Sequence, residues 1–108
     1  MEQLKKHIPI LEYIRTLNSK EQKGLIKNAN RDLLKVLSAI ALNLIKKNIE
    51  LSKTDITRLK KHENSIKKLA QKKHSNNVRK KILQKGGFLS SLLSVVPALI
   101  AGILSSIN

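Results

Sequence analysis

Eleven lysine and arginine side chains lie between Arg58 and Lys85, a stretch in which Glu63 is the only acid. Duplex DNA presents a close row of phosphates, and each phosphate that a cation neutralises releases condensed counterions. The stretch is therefore predicted to bind double-stranded DNA with little sequence preference and strong salt dependence. A solvated helix face is the simpler alternative for such a charge run. The predicted nucleic-acid-binding residues are Arg58, Lys60, Lys61, Lys67, Lys68, Lys72, Lys73, Arg79, Lys80, Lys81 and Lys85.

The charge balance of the whole chain favours a polyanionic partner. The 108 residues include 22 Lys and Arg against 7 Asp and Glu, which gives a net charge of +15. Such an excess causes self-repulsion unless nucleic acid or acidic lipid headgroups neutralise it. Lysine far outnumbers arginine, the residue that reads guanine in bidentate contacts, so we expect packaging or condensation rather than recognition of an operator. A helix-turn-helix protein remains the alternative for a chain of short helices.

Residue types that carry catalysis are sparse and scattered. The three histidines, His7, His62 and His74, lack the spacing of metal ligands. Cysteine is absent, which removes disulfides, thiolate nucleophiles and Cys-ligated metals. Asp55 is better explained by helix capping than by acid–base work. The sequence therefore predicts no enzyme, no metal and no cofactor.

The elements that must position the cations are predicted to be helices. Apolar residues recur at helical spacing, most clearly within residues 31–47, which are predicted to form a buried amphipathic helix. Cap signals precede three helices, at Ser19, Asn30 and Ser52. The expected fold is all-α, a small bundle of short amphipathic helices with a basic helix and an apolar C-terminal helix.

The remaining helices are predicted with less regular patterns. Residues 4–17 form a helix with a break or start near Pro9, because proline removes a backbone donor. Residues 20–28 are predicted to form a short helix that Gly24 interrupts, and a basic helix is predicted to begin near Ile56. Residues 71–77 are polar and are predicted to be a hinge, after which a weak helical pattern resumes.

Charge divides the chain into three predicted segments: a helical body of residues 1–70, a basic hinge with a Gly-Gly junction at 71–87, and an uncharged apolar tail at 88–108. The tail is long enough for a bilayer core, although serines and Pro97 weaken its hydropathy. A helix packed on the body or in a self-associated bundle is the alternative. Its membrane-facing or packing residues are predicted to be Phe88, Leu89, Leu92, Leu93, Val96, Leu99, Ile100, Ile103 and Leu104.

The stretch Gln84-Lys85-Gly86-Gly87-Phe88-Leu89, continuing to Gly102, resembles the end of the adenovirus late core protein precursor called mu. It is more similar still to the small basic proteins of adintoviruses and Polinton (Maverick) elements, in which a lysine-rich helical body runs into such a junction. The resemblance implies a virion protein that condenses DNA, present in the virion and in the host nucleus or cytoplasm during infection. The chain departs from mu in being rich in lysine rather than in arginine and histidine.

The same resemblance implies a partner for the Gly-Gly junction. In that family a viral maturation protease cuts after Gly-Gly, so Gly86, Gly87 and Phe88 are the predicted cleavage site. A glycine cap that ends the preceding helix would be equally glycine-rich.

Two other kinds of function remain open from the residues alone. A membrane-active or membrane-anchored protein would place the lysines on anionic headgroups and insert the tail. A helical adaptor would use the face from Leu33 to Ile45 to form a homo-oligomer. The tail could also contact a capsid protein.

Overall fold

The computed structural model describes the backbone of residues 2–107 and the side chains of residues 4–103. This part of the chain is helical and contains no strand, as the sequence predicts. In chain order the helices are α1 (Glu2–Lys6), α2 (Ile8–Thr16), α3 (Ser19–Lys27), α4 (Arg31–Ile45), α5 (Lys53–Lys60), α6 (Glu63–Ala70), α7 (Asn76–Leu83), α8 (Phe88–Leu93) and α9 (Val96–Ile107).

Helix α4 lies against α1, α6 and α7, while α8 packs on α2, α5 and α7. The buried apolar positions of α4 are Leu34, Val36, Leu37, Ile40 and Ala41, which recur at helical spacing and form its inner face. Most of the apolar face that an adaptor would offer to a second copy is therefore covered within the chain.

Side-chain caps set several helix starts. The Oδ1 atom of Asn30 accepts from Leu33 N at 2.9 Å, and Ser52 Oγ accepts from Asp55 N at 3.2 Å, which confirms both predicted caps. At α3 the cap is Asn18 rather than the predicted Ser19, and Glu21 closes a capping box with it. The helix begins one residue earlier than predicted because asparagine is as favourable a cap residue as serine, and the Asn18 Oδ1 atom accepts from Glu21 N at 2.8 Å.

The structure differs from the sequence prediction in where two helices are interrupted. Helix α3 runs through Gly24 without a break. The basic helix predicted from Ile56 is instead two helices, α5 and α6, which separate at Lys61 and His62. The His62 ring lies 5.5 Å from the Phe88 ring, a contact between distant parts of the chain that the local apolar spacing cannot reveal. A break does lie just ahead of Pro9, as predicted, since α2 begins at Ile8 with the proline in its first turn.

The apolar segment beginning at Phe88 is an integral part of the core. The structure buries seven of the predicted tail residues and partly buries Ile100, while the side chain of Leu104 lies outside the described residues. These side chains pack in one cluster with residues of the two preceding segments, such as Leu11 and Ile82. The three predicted segments thus differ in charge, but all three contribute side chains to one hydrophobic core. The buried tail residues are Phe88, Leu89, Leu92, Leu93, Val96, Leu99 and Ile103.

A buried polar contact also ties this segment to the body. The amide of Gln22, which is 5% exposed, donates from Nε2 to the Ile14 carbonyl at 3.0 Å. Its Oε1 accepts from Ser90 Oγ at 3.1 Å. Gln22 therefore joins α2, α3 and α8, and its burial is stabilised because both ends of the amide have partners.

Helix α4 ends in a left-handed turn at Lys47, which has φ 59°. The Asn48 N–H donates to Asn43 O at 2.9 Å, and the Lys47 N–H donates to Leu44 O at 3.2 Å, the two bonds of a Schellman motif. Glycine normally occupies this position because a Cβ atom disfavours the left-handed region.

We expect Lys47→Gly to raise the free energy of unfolding by about 1 kcal/mol, because glycine adopts the left-handed conformation without a steric penalty. Urea denaturation followed by circular dichroism would measure the change. Lys46→Gly is the matched control, since Lys46 has right-handed helical angles and glycine should destabilise that position. Equal destabilisation by both substitutions would contradict the assignment.

Candidate nucleic-acid interface

The eleven predicted DNA-binding cations lie on α5, α6 and α7 and in the loops that follow them. Nine are exposed, whereas Arg79 and Lys80 are partly buried. The break between α5 and α6 separates the cations that a single basic helix would have aligned. The candidate interface therefore consists of several short basic surfaces rather than of one helix face.

Two of these cations have partners within the chain. Lys67 Nζ lies 3.2 Å from Glu63 Oε1, in an exposed pair one helical turn apart. Such a pair contributes little stability, so the lysine can exchange Glu63 for a phosphate. Lys80 Nζ donates to the Lys27 carbonyl at 3.0 Å, at the C-terminal end of α3. That end of a helix attracts cations, so Lys80 also joins α7 to α3.

One basic surface lies along α5 and is called the α5 face, made of Lys53, Thr54, Thr57, Arg58 and Lys61. Three cations and two hydroxyls line a shallow depression there, and no acid is among its lining residues. This arrangement can contact successive phosphates of a backbone through charge and through the Thr54 hydroxyl, whereas Thr57 Oγ1 already donates to Lys53 O at 2.9 Å. Lys53 was not among the predicted DNA-binding residues because it precedes the run of cations from Arg58 to Lys85. It lies about one and a half turns upstream of Arg58 on the same helix.

A second basic surface is the groove between α4 and the start of α7, called the α4–α7 groove. It brings the predicted Lys72 and Arg79 together with Arg31 and Lys35 of α4. His74 and Asn76 lie at the same groove, which has a volume of about 740 Å³. No acid lines it. Arg31 and Lys35 were missed because they lie some forty residues upstream, and only the packing of α4 on α6 and α7 joins them to the predicted cations.

The acids are held in local arrangements that leave most cations uncompensated. Glu12 pairs with Arg15 at 3.1 Å, and Glu63 pairs with Lys67. Glu21, Asp32 and Asp55 lie in the first turns of α3, α4 and α5. Carboxylates in these positions stabilise helix N-termini. The exposed surface thus keeps the positive sign of the whole chain.

The predicted cleavage site lies in the turn between α7 and α8. Gly86 and Gly87 are exposed, and Gly87 has φ 77°, in the left-handed region. Phe88 is fully buried, and its N–H donates to Lys85 O at 3.1 Å. The alternative prediction was a glycine cap at the end of α7. The residue that caps the end of α7 is instead Gln84, and Gly87 is the residue that precedes α8. The turn is accessible, but an extended strand through Phe88 requires the core to open.

Among residues 2–107, no single helix has the length and hydropathy needed to cross a bilayer. Asn76–Leu83 and the stretch Phe88–Ile103 reach these requirements only as a pair, with a bend of 88° between them.

The described residues contain no group of three or more His, Asp or Glu side chains placed to hold a metal. His62 lies beside Phe88 and His74 at the α4–α7 groove.

Comparison of the chain with protein-family models, with curated proteins and with solved structures finds no match.

Proposed function

We propose that the protein binds double-stranded DNA without sequence preference and condenses or packages a viral genome. The observation that carries this proposal is the pair of exposed basic surfaces, the α5 face and the α4–α7 groove, which have no acid among their lining residues. Cations placed in this way contact phosphates, which carry no sequence information. The viral part of the proposal relies on the resemblance of residues 84–102 to the mu-like proteins.

The dimensions of the protein set the expected footprint. The longest axis is 38 Å, which spans about 11 base pairs at roughly 3.4 Å per pair. Several lysines can therefore contact one duplex at once, while cations on other faces can contact a second duplex. Joining of duplexes in this way is the basis of condensation.

The alternative function, membrane activity through the tail, requires α8 and α9 to leave the core. Phe88, Leu92 and Leu99 are buried among side chains of the body and are not offered to a lipid surface. Removal of the tail by a maturation protease faces the same barrier, so cleavage after Gly87 is proposed to take place on an opened or unfolded chain.

The test is the affinity of the full chain for random duplexes over a series of salt concentrations. Contacts with six to ten phosphates predict that the affinity falls by about 10³ to 10⁵ between 50 and 200 mM salt, equally for unrelated sequences. The double variant Arg58→Gln with Lys61→Gln should reduce the log–log slope by about 2. Negligible binding at low salt, or a strong preference for one sequence, would contradict the proposal.

A further inference from the structure

We propose that the α4–α7 groove is a site for a single phosphate group with the sugar attached to it. The proposal deepens the proposed function, on which it rests for the source of the phosphate, because it assigns one defined phosphate site within a surface otherwise made of diffuse charge. Four cations from three parts of the fold meet there: Arg31 and Lys35 from α4, Lys72 from the loop after α6, and Arg79 from α7.

The two walls of the groove are each built from one helix face. Arg31 and Lys35 are one turn apart on α4, and Asn76 and Arg79 are three residues apart on α7. A ligand between these walls meets cations on both sides. Guanidinium groups suit a phosphate because their planar donors match two of its oxygens.

The start of α7 supplies uncharged donors at the same place. The backbone N–H groups of Asn76 and Asn77 have no acceptor among the described residues, whereas the Val78 N–H donates to Ser75 Oγ at 3.3 Å. Free backbone donors and the positive end of the helix favour an anion. No acidic residue lies in the first turn of α7.

The side chains at this groove also keep polar atoms that the fold does not use. Arg79 Nε and His74 Nε2 are shielded from solvent and have no hydrogen-bond partner within the described part of the chain. An unpaired donor such as Arg79 Nε is unfavourable when it is desolvated. A phosphate oxygen would provide an acceptor once the arginine side chain turns toward the groove.

The groove has room for more than a bare ion. Its volume of about 740 Å³ lies within the range of roughly 300–1,000 Å³ that is usual for small-molecule clefts. A phosphate together with its sugar fits this space. The phosphate can come from a diester inside a duplex or from a monoester at a strand end or on a free nucleotide.

The test is an NMR titration of the full chain at low salt, followed at the backbone amides of Asn76 and Asn77. The probes are inorganic phosphate, a 12-base-pair duplex with 5′-phosphates and the same duplex with 5′-hydroxyls. We expect saturable shifts with inorganic phosphate and about tenfold weaker binding in Arg31→Gln with Lys35→Gln. The matched control, Arg58→Gln with Lys61→Gln on the α5 face, removes the same charge and should leave phosphate binding unchanged.

Equal shifts with both duplexes would assign the site to a backbone diester. Shifts only with the phosphorylated duplex would assign it to a terminal monoester. Either result supports the proposal that the α4–α7 groove binds a phosphate group. If the protein binds inorganic phosphate but neither duplex, the phosphate site in the α4–α7 groove is supported and the DNA-binding proposal is contradicted. The opposite result is duplex binding that both double variants weaken equally, with no saturable response to inorganic phosphate. It would contradict the phosphate site in the α4–α7 groove and leave the DNA-binding proposal intact. Circular dichroism of each variant would establish that it is folded.

Discussion

A chain that ends at Gly87 is expected to lose cooperative thermal unfolding and most of its helical signal. The removed segment supplies eight of the 23 buried apolar side chains in the described part of the protein. Burial of each large apolar side chain stabilises a fold by about 1.5–3 kcal/mol. Eight of them together contribute about 12–24 kcal/mol, which is comparable to or larger than the total stability of roughly 5–15 kcal/mol that is typical of a small protein. The segment also removes Ser90, the hydrogen-bond partner of buried Gln22.

Circular dichroism at 222 nm during heating would measure this loss. A chain that ends at Ile103 is the matched control, because it keeps all eight buried side chains and should retain a sharp transition. A sigmoidal transition in the 1–87 chain at the midpoint of the full chain would show that the tail is dispensable for folding. DNA binding should therefore be measured on the full chain, since the shorter chain would report on unfolded lysines.

Phe88→Ala is expected to lower the free energy of unfolding by about 3–5 kcal/mol and to expose the Gly86-Gly87 junction to proteolysis. Phe88 is fully buried, and its ring contacts His62. Truncation of a buried phenylalanine removes its transfer free energy and leaves a cavity. A protease that cuts after Gly87 needs Phe88 in an extended strand, so its rate follows the population of the opened chain. The stability loss corresponds to a rate increase of roughly 10² to 10⁴-fold.

The measurement is the initial rate of cleavage between Gly87 and Phe88 by a Gly-Gly-specific protease, for the full chain and for a peptide spanning residues 80–95. The control is Phe88→Leu, which keeps an apolar side chain in the core and should increase cleavage far less. If the unchanged protein is cut as fast as the peptide, the junction is accessible without opening of the core and the proposed barrier is wrong.

The local signals in the sequence identified most helix positions. The predicted helix 31–47 corresponds to α4, which ends at Ile45 because the left-handed turn at Lys47 stops it. The caps at Asn30 and Ser52 and the break near Pro9 were correct because a cap or a proline acts within one helical turn. The break at His62 was not predicted, because the apolar spacing from Ile56 to Leu69 continues across it at helical intervals.

The candidate site was predicted in composition but not in arrangement. The sequence indicated the basic character of residues 58–85, and most of those cations are exposed. Lys80 has a structural partner in the Lys27 carbonyl, and Arg31 and Lys35 join the site from α4. These relationships depend on how α3, α4 and α7 pack, for which spacing along the chain contains no signal.

The sequence by itself determined the helical class, the excess of positive charge and the apolar character of the segment from Phe88, since each follows from residue type or from contacts within a helical turn. Only the tertiary structure decided that this segment is buried with the body and that four cations share one groove. Both outcomes depend on side chains that are distant in sequence. The physical reason is that apolar burial is non-directional, so composition shows that the segment must be covered but only packing shows what covers it.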